Sequence, residues 1–370
     1  MGLKRKKKVR KAASVKEKKK TVQQLLTRLG EKVLSQMEAG VFPVIEMPSR
    51  STANIRYDEE LRQYVLGDKK IRRTARNIRH LRPFTQLVWL AWTARQLMEQ
   101  GKTSTLRDIF YMSQAYEIDF KDQAESDDII TDLESVIGYA REDFNIYPEE
   151  RSAIYGDLEI EYTVPRYEGR RLNLTVHPDG VVIGPALATA EFIDTSAEIV
   201  ICIEKGAMFT RFLEEEVHRK FKAILVHTAG QAPRATRHLI RRLNDELGLP
   251  VYIFCDADPW GMHIAQVIIS GSANAAHVRE LVTPDAKWAG VWASDIIEWK
   301  LPSERFNELD IKRLQELEKD PRYHSELWQR EIKIFKKIQR KAEQEAFSRY
   351  GLTKIVDEYL PKRLEEMKSY

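Results

Sequence analysis

Three carboxylates stand where a chain would put metal or phosphate chemistry. The stretch from Pro250 to Gly261, Pro-Val-Tyr-Ile-Phe-Cys-Asp-Ala-Asp-Pro-Trp-Gly, is an apolar run that stops at two acids spaced by one, Asp256 and Asp258. Its β-branched and aromatic residues, bounded by Gly and Pro, predict a buried strand, so both acids fall at its carboxyl end, where open α/β sheets keep their ligands. Two carboxylates there repel each other unless something positive sits between them, and the simplest solution is a hard cation such as Mg²⁺. The alternative is a solvated turn. A second apolar run, Glu198-Ile-Val-Ile-Cys-Ile-Glu204-Lys-Gly206, also ends in an acid closely followed by Gly, where backbone can approach a ligand.

A third run, Ala223 to His227, lies between these two, and helical patterns follow each: Met208 to Phe221, Arg234 to Leu247 and Gly261 to Ile269. Alternating strands and helices predict a parallel sheet with helices on its faces, which points the ends carrying Glu204, Asp256 and Asp258 the same way, so that they share a metal. Glu at one strand end and Asp-x-Asp at a later one resembles the Toprim fold of topoisomerases, primases and some nucleases, here over residues 196–300. Glycosyltransferases also hold a metal and a nucleotide sugar with Asp-x-Asp, so the rest of the chain has to decide.

With 370 residues, 43% of them hydrophobic and 31% charged, the chain is long enough for two or more packed domains. Its formal charge is only +4, but the cations are unevenly spread. Cys202 and Cys255, the only two cysteines, fall inside predicted strands and read as core thiols, and the eight histidines show no zinc spacing. Neither a membrane span nor a signal-peptide core is evident, which predicts an intracellular protein, cytoplasmic or nucleoid-associated.

Residues 1–20 contain a single acid, Glu17, among many Lys and Arg, which predicts a disordered tail whose charge suits a nucleic acid. Residues 21–68 read as a helix followed by an irregular connector: Val22, Leu25, Leu26, Leu29, Val33, Leu34 and Met37 form one apolar stripe closed by Gly40. Within 69–150, Lys69 to His80 is strongly basic and precedes an apolar helix from Phe84. A polar turn at Gly101-Lys-Thr-Ser-Thr and a second helix near Leu106 complete the outline of a winged-helix or helix-turn-helix module. A helical stretch over 127–147 follows. Residues 151–195 carry alternating strand patterns and read as a small β linker region, and 301–370 read as a helical C-terminal part packed on the Toprim region.

The second helix carries Leu106-Arg-Asp-Ile-Phe-Tyr-Met-Ser113. Arg-Asp-Ile-Phe-Tyr, followed downstream by Glu204 and Asp256/Asp258, resembles the A subunits of topoisomerase VI, the type IIB enzymes, and the related protein that makes meiotic double-strand breaks. The likeness runs from about residue 70 to the C terminus. It implies that Tyr111 is the nucleophile that joins DNA, that ATP is bound by a separate B subunit, and that two A and two B subunits work together. It further implies that Tyr111 of one protomer meets the metal site of the other. No phosphate-binding Gly-x-x-x-x-Gly-Lys-Ser/Thr loop occurs in the chain itself.

The residues support that chemistry independently. A tyrosine hydroxyl is a poor nucleophile, with an unperturbed pKa of about 10. Arg107, four positions earlier on the same helical face, would favour the phenolate and the charged phosphorane. Lys205, Arg234 and Arg237, close to strand ends or a helix start, are candidate contacts to DNA phosphates. Two protomers are needed for a duplex break, since each Tyr111 attacks one strand. The alternatives are a break-forming recombination protein without an ATPase, a Toprim nuclease or primase in which Tyr111 is dispensable, and a DNA-binding scaffold whose acids are structural.

Overall fold

The computed structural model describes residues 15–148 and 151–369. The basic stretch 1–14 lies outside the described residues. Residues 15–20, expected to be disordered, instead begin the helix Val15–Glu38, because Lys18 reaches across the chain to Asp143 at 2.9 Å and Glu280 at 2.5 Å. Val22, Leu26, Leu29 and Val33 of that helix are buried. Of the other residues assigned to the same stripe, Leu34, one position past the buried Val33 and so turned about 100° round the helix, lies exposed, and Met37 in the last turn is exposed as well.

The expected irregular connector is in fact built of strands. Val44–Pro48 pairs antiparallel with Lys70–Thr74, and Ile55–Asp58 with Gln63–Leu66. The basic run therefore starts as a strand, and its charges are partly neutralised internally: Arg73 contacts Asp132 at 2.9 Å, and Asp132 also receives Arg50 at 2.9 Å. After the helix Ile78–Gln100, Gly101 turns the chain at φ 62°, and the helix Leu106–Gln114 begins. The 127–147 stretch divides into a helix, Gln123–Ile137, a short 3₁₀ turn at Arg141–Phe144 and a two-residue strand, Ile146–Tyr147, that pairs parallel with Ser104–Thr105. These helices enclose one apolar core around Leu87, Leu90, Ile109, Ile130, Leu133 and Phe144.

The larger core surrounds a six-stranded sheet, ordered Val181–Val182, Ala153–Tyr155, Ala223–His227, Ile199–Ile203, Val251–Phe254, Lys287–Gly290. The last four strands run parallel, while the first two add antiparallel at one edge. Two strands from the 151–195 stretch thus belong to the main sheet. The others there, Leu158–Glu161, Arg171–Asn173 and Glu191–Thr195, form a three-stranded sheet of their own. Cys202 and Cys255 are buried thiols with no disulfide between them.

Beyond residue 300 the chain alternates helices at Glu308–Lys319, Glu326–Ile338 and Leu360–Glu366 with short extended pieces. One of those pieces matters for the site. Arg340–Lys341 pairs with Glu304–Arg305, and the next residue, Ala342, forms an antiparallel bridge with Ala257 between the two aspartates. No described helix is long and apolar enough to cross a membrane.

Candidate functional site

Parallel register brings the acids together. Ile203 lies opposite Phe254, so Glu204 leaves its strand beside the end of the neighbouring one. The Glu204 amide donates to the Phe254 carbonyl at 3.1 Å, and the Asp256 amide donates to Glu204 Oε2 at 3.2 Å. Burial, then the Asp256 charge, pushes the Glu204 carboxyl up to about 7; burial likewise carries Asp256 up to about 6. Asp258 is raised too, chiefly by burial.

Asp258 has a second task. Its side chain caps the helix Pro259–Ser270, Oδ1 accepting the Gly261 amide at 2.6 Å, with Pro259 in the first turn, where its missing N–H costs nothing. Gly261 is obligatory for a different reason: a Cβ there would stand 2.2 Å from the Asp256 carbonyl oxygen. Gly261→Ala is expected to destabilise the fold by about 1–3 kcal/mol through overpacking and to weaken Mn²⁺ binding, read by denaturant unfolding and by electron paramagnetic resonance.

A strap from the C-terminal part holds the Asp-x-Asp turn. Backbone hydrogen bonds link Ala257 and Ala342 at 2.9 and 3.1 Å, the Gln344 amide donates to Asp256 Oδ1 at 2.9 Å, and its side-chain nitrogen donates to the Phe254 carbonyl at 2.9 Å. Lys205 leans over the same carboxylate, its ammonium 3.1 Å from Asp256 and 3.7 Å from Glu343.

The donor set suits a hard divalent cation. Glu204 and Asp256 offer carboxylate oxygens that repel each other, and a lysine is drawn onto one of them. Among the described residues no three acid, His or Cys side chains close into a cage. That agrees with Asp258 being committed to its helix cap, and with an ion that keeps several waters and takes only one or two carboxylates.

Tyr111 stands apart from this cluster. Its helix starts with a reciprocal cap, Thr105 Oγ1 accepting the Asp108 amide and Asp108 Oδ2 accepting the Thr105 amide, both at 3.0 Å. Ile109 and Ser113 face the core, which turns Tyr111 outward with 53% of its surface exposed. The Arg107 guanidinium lies 5.9 Å from the Tyr111 ring centre, and Phe110 packs edge-on at 5.5 Å. These residues line an open cleft of about 750 Å³ whose far wall is Ala229, Gln231 and Pro233, in the loop after the strand Ala223–His227. The same loop touches the acidic site from behind, through the Gly230 amide on the Glu204 carbonyl at 3.2 Å, but none of the three acids lines the cleft.

Two candidate phosphate contacts are corrected. Arg234 turns inward: its guanidinium donates to both carboxylate oxygens of the fully buried Glu134, one at 3.1 Å, and lies 3.5 Å from Glu142. Arg237 is buried beside it, its pKa pushed down to about 10 by burial and then by Arg234. Both sit in the first turn of the helix Arg234–Leu247, but its inner side meets the acidic helix Gln123–Ile137, so a pattern that reads as a surface anion site packs against protein.

Comparison with known proteins decides what this arrangement belongs to. Residues 82–146 match the family model described as type IIB DNA topoisomerase, and residues 199–364 match that of the Toprim domain shared by the topoisomerase 6 A subunit and Spo11. The chain is 44% identical over 346 residues to the A subunit of type 2 DNA topoisomerase 6 from Methanothermobacter thermautotrophicus, covering 93% of this chain and 97% of that protein. This chain belongs to the family of topoisomerase 6 A subunits. Proteins of the same name from Halobacterium salinarum (37% over 353 residues; 92% and 95% of the two chains) and Archaeoglobus fulgidus (37% over 346; 91% and 95%) are similar over most of the chain as well. The Toprim match reaches residue 364 and so takes in the strap at 340–344, which sequence reasoning missed. Its two-residue strand and single bridge leave no periodic signal, and the only hint was polar residues interrupting the helical pattern after Ile338.

Proposed function

We propose that the chain is the DNA-cleaving and religating component of an ATP-dependent type IIB topoisomerase, with Tyr111 as nucleophile, Arg107 beside it, and Glu204 and Asp256 as the ligands of Mg²⁺. The observation that carries this reading is an exposed tyrosine next to a guanidinium on a cleft wall, in a member of the topoisomerase 6 A-subunit family whose strand ends gather mutually repelling carboxylates. Asp258 supports the metal site through the helix it caps and through its charge.

In the proposed step the Tyr111 hydroxyl gives up its proton to solvent as its oxygen attacks a backbone phosphorus, the bond to the 3′ oxygen breaks, and that oxygen takes up a proton from solvent while a 5′-phosphotyrosyl link forms. Reversal by the same 3′ hydroxyl reseals the strand, since the ester conserves the energy of the broken bond. Arg107 favours the developing negative charge, the same reason a preorganised cation at an oxyanion lowers a barrier. A divalent cation at Glu204 and Asp256 supplies charge neutralisation and Lewis-acid polarisation of a phosphate or leaving oxygen.

Because the acids do not line the Tyr111 cleft, we read the working site as composite: Tyr111 of one protomer beside the carboxylates of the other, in a homodimer spanning double-stranded DNA. We assign residues 69–150 to a winged-helix module, its two helices joined by the Gly101–Thr105 turn, and 196–300 to the metal-bearing part of a Toprim domain that the C-terminal strap completes. ATP would be bound by a B subunit in an A₂B₂ assembly, with the exposed end of the helix Val15–Glu38 as its contact, and the complex would act in the cell on the chromosome. Relatives named as topoisomerase 6 A subunits along nearly the whole chain disfavour a recombination protein acting alone, and an exposed Tyr111 beside Arg107 disfavours a nuclease in which that tyrosine is dispensable.

The test is Glu204→Gln in the assembled enzyme with DNA, ATP and Mg²⁺. Covalent adduct is expected to fall about 10²-fold and Mn²⁺ affinity of the isolated chain about tenfold or more. Wild-type levels of both would remove the metal assignment.

A further inference from the structure

Lys205 occupies an unusual position for a residue beside a metal site. It precedes the helix Gly206–Glu214 directly after Glu204, in extended backbone, and its side chain caps nothing. Its ammonium bridges two carboxylates instead: Asp256 Oδ2 at 3.1 Å, inside the site, and Glu343 Oε2 at 3.7 Å, on the solvent side. The other Asp256 oxygen is already taken by the Gln344 amide at 2.9 Å. A divalent ion approaching Asp256 therefore meets a resident cation on the free oxygen, and the Glu343 carboxylate marks the direction in which that cation can leave.

We infer that Lys205 is the acidic site's built-in counter-ion, neutralising Asp256 until a divalent cation replaces it and then released outward to a DNA phosphate. The inference rests on the metal-site reading above. It gives Lys205 a positioning role in coupling two binding events: ion entry frees a phosphate-binding ammonium, and a phosphate that draws Lys205 outward opens Asp256 to the ion. Reciprocity follows from linkage, since each ligand must favour the other by the same factor. Removing the ammonium tightens ion binding, because the ion no longer displaces an existing ion pair or sits beside a like charge.

Mn²⁺ alone is the probe, its binding to the purified full chain followed by electron paramagnetic resonance. K205Q is expected to bind Mn²⁺ roughly five- to tenfold more tightly than wild type, and K205R, which keeps a cation, within about twofold. Equal or weaker binding by K205Q overturns the inference. D256N separates the two readings. If D256N loses Mn²⁺ binding while K205Q is unchanged, only the counter-ion role fails. If wild type does not bind Mn²⁺, or D256N binds it equally well, the metal site fails and the counter-ion role with it. A second readout needs no change at Lys205. For Y111F on a short DNA duplex, the dependence of log affinity on log salt should steepen by about one when Mn²⁺ replaces EDTA, one more phosphate being neutralised. An unchanged slope counts against the release step, and a K205Q/Y111F chain should show no steepening.

Discussion

Tyr111→Phe is expected to abolish covalent DNA attachment while leaving the fold and DNA binding nearly untouched. The substitution deletes one exposed oxygen and keeps the ring that Phe110 and Arg107 contact, so stability should change by no more than about 0.5 kcal/mol. Duplex affinity should hold within about twofold, because phosphate contacts and not a phenol supply it. Adduct formation should drop by about 10⁴-fold or more, the scale seen when an enzyme loses its nucleophile. The measurement is end-labelled duplex incubated with the A and B subunits, ATP and Mg²⁺, stopped with detergent and separated on a denaturing gel. Tyr116 is the internal control. It is nearly as exposed as Tyr111 but packs edge-on against Trp92 at 5.4 Å, and Tyr116→Phe should leave adduct yield within about twofold of wild type. Adduct persisting in Tyr111→Phe and vanishing in Tyr116→Phe would transfer the role; adduct persisting in both would end it for this helix. The composite-site reading makes a further demand. A heterodimer of Tyr111→Phe and Glu204→Gln protomers keeps one complete site if the site spans both chains, and should cut one strand only.

Much of this site is legible in the sequence because its strands are continuous apolar runs. Ile199–Ile203, Ala223–His227 and Val251–Phe254 are buried on both faces between helices, and burial on both faces forces an uninterrupted run that ends abruptly at the first acid. Strand ends carrying Glu204 and Asp256 are therefore visible without coordinates. The strands Val44–Pro48 and Lys70–Thr74 are not. They form an isolated two-stranded pair with Glu46, Lys70, Arg72 and Arg73 along it, and their pairing depends on a partner more than twenty positions away, about which local composition is silent. The same limit hides the strap at Ala342 to Gln344, whose contacts with Ala257 and Asp256 are made largely by backbone. Arg234 and Arg237 show the opposite failure. A helix start with two arginines is a sound anion-site pattern, but which way it faces depends on Glu134, a hundred residues upstream.

That glutamate carries a large expected stability effect. Glu134 is fully buried and receives Arg141 at 2.8 Å, both terminal nitrogens of Arg234, and His277 Nε2 at 3.1 Å. Burial alone would raise its carboxyl, but the Arg234 and Arg141 charges outweigh that and hold it well below the usual range. Glu134→Gln keeps the shape and removes the charge, leaving two guanidiniums facing each other in a dry interior. Breaking one partner of such a cluster costs about 3–5 kcal/mol, which denaturant unfolding at neutral pH would read directly. A loss below about 1 kcal/mol would mean the cluster is hydrated and not locked. The sign of the pH dependence is fixed by the direction of the shift. A carboxyl depressed in the folded state stabilises above its ordinary value and loses that contribution as pH falls through its folded value, so wild type and Glu134→Gln should converge in acid. Function should follow stability here, because the helix bearing Glu134 also holds the Tyr111 helix: Gln123 donates to the Leu106 carbonyl at 3.1 Å at one end, and Glu134 grips the Toprim-side helix at the other. A loosened cluster would let Tyr111 drift relative to the loop Ala229–Pro233 across the cleft. At a temperature where Glu134→Gln remains folded, adduct yield should therefore fall while Mn²⁺ binding at Glu204 and Asp256 stays at the wild-type level.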